Sequence, residues 1–205
     1  MSGSRISSSL PSDPSSEQSL SAVAERILFS SSLEEKLRAF DCGLSADGRD
    51  GISPSSLHSF EPSRPENLRF ASPSEAKPRL PSSSALVDEE NRGVLLHFFA
   101  NHELLATELM ALALLRFPDA PEAFRRGLAR TLREEQRHTL WYVQRMEECG
   151  IEFGQYPLNR FFWDAVSSMK DPTDYVARLS LTFEQANLDY SKHFALLLRE
   201  AGDGK

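Results

Sequence analysis

From Ala85 onward, apolar residues recur every three to four positions with little interruption, whereas before it they come in short bursts among serines and prolines. The later pattern has the period of an α-helix. It predicts a long helix over about 88–117 with apolar residues on nearly every face, as expected at the centre of a bundle. The run Phe117-Pro118-Asp119-Ala120-Pro121 ends that helix and starts another: Pro118 disfavours continued helix, Asp119 can cap, and Pro121 suits a first turn. The second helix extends to about Cys149, where Gly150 stops it. A looser region, 151–170, carries Phe153, Tyr156, Phe161, Phe162 and Trp163 and predicts a short helix packed as a lid or crossover. Asp171-Pro172 opens a third long helix that lasts to about Ala201 and ends at Gly202.

Upstream, Val23, Ile27, Leu28, Leu33, Leu37 and Phe40 fall at near-helical spacing, with Ser30 to Ser32 as a break and new N-cap. These are one or two short amphipathic helices. The Pro-rich stretch 41–84 has little periodicity and reads as an extended segment wrapping a surface, anchored by Leu68 and Phe70. Residues 1–20, dominated by serine, cannot bury enough apolar surface to offset the entropy of ordering and read as a disordered tail. The expected organisation is therefore all-α, divided at 1–20, 21–84 and 85–205.

Composition narrows the function classes. A net charge of -7 argues against a nucleic-acid groove, which needs a basic patch. Cys42 and Cys149 lie far apart without metal-type spacing, which suits neither a disulfide framework nor a zinc knuckle and fits the reducing cytoplasm. The apolar stretch 104–115 is interrupted by Glu108 and is too short to span a bilayer, so a soluble protein is expected.

Candidate chemistry lies on the three long helices. Glu135 and His138, three residues apart on one helix, leave the same face and can close on one metal ion. Glu103 precedes Phe117 by 14 residues and Glu135 follows Pro121 by 14, so in an antiparallel hairpin both stand about 21 Å from the turn. Glu108 is offset from that height by about 7.5 Å and is a second choice. On the third helix, Glu184 sits amid Leu179, Leu181, Phe183 and Leu188, where an unpaired carboxylate would be costly to bury. Glu103, Glu135, His138 and Glu184 make an oxygen-rich set with one nitrogen, better suited to iron or manganese than to zinc or copper. Glu134 should face outward with Arg137 on the surface or beside the site, and Asp189 lies off the face of Glu184. His97 and His102 read as core histidines and His193 as surface, while Tyr142, four residues after His138, is either packing or a partner to a ligand.

The runs 101–112 (Asn-His-Glu-Leu-Leu-Ala-Thr-Glu-Leu-Met-Ala-Leu), 117–121, 133–138 (Arg-Glu-Glu-Gln-Arg-His) and 183–190 (Phe-Glu-Gln-Ala-Asn-Leu-Asp-Tyr) resemble the ferritin-like family labelled domain of unknown function 455. The resemblance is distinctive over 85–205 and fainter back to about Ala22. It implies a ferritin-like four-helix fold with a dimetal centre, distantly related to the diiron hydroxylases that modify tRNA or quinones. A full site of that type draws a second Glu-x-x-His from a fourth helix, and none follows Glu184; His193 has Tyr190 three residues before it. The expectation is thus a bundle with three long helices and the fourth missing, with weak or mononuclear metal binding. A second copy of the chain or a partner helix would cover the open face, and the catalytic residues are unassigned. Two classes follow: an oxygen-using diiron-carboxylate oxidoreductase, inactive as the isolated chain, or a non-catalytic helical interaction module.

Overall fold

The computed structural model describes residues 19–47, 61–72, 74–75, 79–179 and 185–203. Over these residues the protein is all-α, with two isolated bridges, Ser19 to Ser45 and Phe70 to Leu158, in place of any strand. The elements are α1 (Leu20–Phe29), α2 (Leu33–Leu37), α3 (Glu89–Arg116), α4 (Glu122–Glu148), α5 (Phe161–Val166), α6 (Pro172–Tyr175) and α7 (Gln185–Glu200), with short 3-10 turns at Glu66–Leu68 and Ser83–Val87. The tail expected at the N-terminus falls outside the described residues except for Ser19 and Leu20, which begin α1. The third long helix appears as α6, a widened turn over 176–179, and α7.

The long hairpin follows from local rules. Asp88 caps α3 by accepting a hydrogen bond from the Glu90 amide, satisfying a donor that the first turn leaves free. Every residue from Leu104 to Leu115 is buried, so this half of α3 has no solvent face. By length and composition α3 could cross a membrane, but 78% of its most apolar window is buried inside the fold, as in a bundle's core helix. α4 starts one residue after Pro121, which itself occupies the cap position, so the expected cap at Asp119 is not used.

The N-terminal helices belong to the core rather than preceding it. Leu20, Val23, Ala24, Ile27 and Leu28 of α1 pack in one cluster with Leu105, Leu109 and Leu112 of α3, Leu128 and Leu132 of α4, and Phe162 and Trp163 of α5. Ser19 caps α1, and Ser32 caps α2 as the serine break foreshadowed. The wrapping segment is fastened at both expected anchors: Leu68 is buried, and Phe70 lies 4.3 Å beneath the Arg64 guanidinium. Arg125 stitches the turn end of the hairpin. It donates to the carbonyls of Leu114 and Phe117 at the end of α3, to Ala46, and to the Ser21 hydroxyl on α1.

The loop after α4 packs so closely that two positions need glycine. A Cβ at Gly93 would sit 3.1 Å from Cys149 Cβ and clash with Ile151, and Gly154, at φ +96, lies against the Asn67 carbonyl. His97 holds this loop from α3. Its Nε2 accepts from the amides of Gly154 at 3.1 Å and Tyr156 at 3.4 Å, and its ring stands edge-on to Phe153 and Tyr156. Only 3% exposed, the imidazole is pushed by burial from 6.5 down to about 4.

Because the folded chain takes up this proton at lower pH than the unfolded chain, the His97 contribution is complete above pH 6.5. It is lost as pH falls from 6.5 toward 4. Urea unfolding should therefore show wild type losing about 2 kcal/mol more than His97→Gln between pH 7 and pH 5. Equal losses in the two proteins would show that His97 does not titrate this way.

Candidate metal centre

Because α3 and α4 leave one turn in opposite directions, residues equally distant from it face each other. Glu103 and Glu135 do so, and His138 stands one turn further along the same face of α4. The ligand atoms of these three residues all lie within 4.8 Å of one another, each side chain partly buried. His138 Nδ1 is 2.9 Å from Glu135 Oε2. Adjacent ligands around an ion at about 2.1 Å stand roughly 3 Å apart, and opposite ligands roughly 4.2 Å. The Glu135 to His138 spacing fits the first value, and the 4.8 Å limit on the group exceeds the second by no more than about 0.6 Å. Two carboxylates with one imidazole suit a hard or borderline ion such as iron or manganese.

The electrostatics are those of a compact acidic pair with a basic partner. Burial alone would push the Glu135 carboxyl up, but its hydrogen bonds to His138 and Glu103, with the charge of the nearby imidazoles, outweigh this and hold it below the ordinary carboxylate range. The hydrogen bond to Glu135 raises the His138 imidazole above its ordinary value, against the opposing effect of burial. Carboxyl groups this close need a proton or a cation between them. The next layer along the hairpin is aromatic: Tyr142 packs on Phe99 at 5.6 Å, and burial together with the charges of Glu103 and Glu135 pushes its phenol up to about 12. Trp141, 59% exposed, lies 5.5 Å from the His138 ring at the outer edge.

Glu184 lies outside the described residues, as does the side chain of Asp189. Glu134 and Arg137 point to solvent. His193 is exposed, and the ring of His102 packs on Phe162 at 3.8 Å. Glu108, the second choice, is occupied elsewhere: it is fully buried, with Oε1 3.0 Å from Lys36 Nζ and Oε2 2.6 Å from Arg64 Nη2. Both cations are also buried. Lys36 donates to the Ile27 carbonyl, and Arg64 donates to the Leu68 carbonyl and Asn101 Oδ1. Burial pushes the Lys36 ammonium down by more than Glu108 raises it.

Sequence reasoning missed this triad because its cations come from the short α2 and the wrapping segment. The signal was a lone carboxylate inside an unbroken buried run, which demands a counter-charge from somewhere.

No curated protein and no solved structure matches the chain. A family model described as "Protein of unknown function (DUF455)" matches residues 21–205, nearly the whole sequence, and the chain belongs to that family.

Proposed function

We propose that this chain is a ferritin-like metalloprotein in which Glu103, Glu135 and His138 hold iron, with manganese as the competing ion, and that its chemistry is oxygen-dependent oxidation. The observation that supports this reading is the approach of three ligand atoms from two helices to within 4.8 Å of one another. Bound in its reduced state, iron supplies electrons to dioxygen. The chain's own residues set the conditions for that chemistry. Glu103 and Glu135 provide the negative charge that concentrates a cation, and His138 provides the nitrogen that favours a transition metal over calcium or magnesium. The packed rings of Phe99 and Tyr142 stand in the next layer along the hairpin. Glu184, outside the described residues, is the proposed further ligand. The unpaired Cys42 and Cys149 accord with the cytoplasm as the site of action.

Anaerobic titration with ferrous iron, read by calorimetry and elemental analysis, tests this proposal. One ion per chain, followed by oxygen uptake on exposure to air, is the expected result. Two tightly bound ions per chain would contradict the mononuclear reading, and none would contradict the metal centre. A second reading, a helical interaction module, is favoured by the exposure of Leu140 and Trp141 on α4 and Leu196 on α7. A stable metal-free dimer in sizing chromatography would support that reading instead.

A further inference from the structure

Tyr142 follows His138 by one helical turn and Glu135 by two, so all three share one face of α4. Side chains on a helix lean toward its N-terminus, which on α4 tips Tyr142 back over the layer that holds Glu135 and His138. α3 runs the other way, so Phe99, one turn before Glu103, leans away from that layer and backs the tyrosine ring at 5.6 Å. Phe99 is braced in turn by Phe194 of α7 at 5.2 Å. That lean carries Tyr142 toward the layer of Glu103 and Glu135, whose charges act on its phenol.

We propose that Tyr142 supplies a phenolic oxygen as an additional protein ligand to a ferric ion held by Glu103, Glu135 and His138. The inference rests on the metal centre proposed above. On ligation the phenolic O–H bond breaks, the oxygen–iron bond forms, and the proton passes to solvent water; the oxidation state of the iron is unchanged. Carboxylates and a phenolate are hard anionic donors, which suit ferric iron better than zinc.

The full chain, loaded with ferric iron from a weak chelate, should develop a visible phenolate-to-iron charge-transfer band and resonance-enhanced phenolate ring modes in its Raman spectrum. Tyr142→Phe should lose both signals while still taking up one iron per chain at saturating iron, with affinity lowered by about tenfold to 100-fold. Glu135→Ala should lose the signals and the iron together. Iron bound to wild type without the band would overturn the role of Tyr142 and leave the metal centre standing, as would a band that survives in Tyr142→Phe. Failure of wild type to bind iron would overturn the centre itself.

Discussion

Replacing Glu108 with alanine should destabilise the fold by about 4 kcal/mol or more, one of the largest losses available from a single side chain. Its carboxylate is the shared counter-ion of Lys36 and Arg64, and all three side chains are almost wholly removed from water. Removing it leaves two buried cations facing each other across a small cavity. For a chain of this size the thermal midpoint should fall by about 10 °C or more. The asymmetry of the triad supplies the control. Lys36→Met leaves Glu108 paired with the fork of Arg64 and removes a desolvated ammonium, so its cost is confined to the lost bond to the Ile27 carbonyl, about 1 kcal/mol. Thermal or urea unfolding of the two variants decides the matter. Equal losses would mean that Glu108 is not the charge on which the wrapping segment closes.

The second large effect is on binding rather than stability. Glu135→Ala should lower affinity for ferrous iron by at least about 100-fold while changing the stability of the metal-free protein by less than about 1 kcal/mol. Glu135 is bonded to both other members of the centre, so its loss removes one ligand and frees the orientation of His138. The adjacent Glu134 faces solvent, and Glu134→Ala should leave affinity unchanged. Calorimetric titration of both variants separates a built site from general acidity. Comparable losses in the two would reduce the centre to a diffuse negative surface.

These contrasts show which parts of the chain were legible in the sequence. Helix limits were readable wherever a local stop signal coincides with a change of period: Asp88 before α3, the two prolines between α3 and α4, and Gly150 after α4. The heights of Glu103 and Glu135 were readable because a short turn makes counting from it equivalent to measuring distance. Asp119 was misplaced as a cap because Pro121 fits the position before a helix as well as its first turn. What could not be read is pairing across long loops. Nothing near Glu108 points to Lys36 or Arg64, and nothing in the Pro-rich stretch announces that Ser63 donates to the Leu28 carbonyl. Arg125 shows the same gap. Nothing beside it in the sequence shows that it is buried, serving carbonyls at the end of α3 and in the 41–47 segment.

Whether α3 and α4 deliver Glu103, Glu135 and His138 to a single cation is decided by anomalous diffraction at the iron absorption edge, from crystals of the iron-loaded full chain. One strong anomalous peak is expected within about 2.3 Å of a carboxylate oxygen from each glutamate and of a His138 ring nitrogen. Iron bound only at other carboxylates, or no peak between α3 and α4, would contradict it.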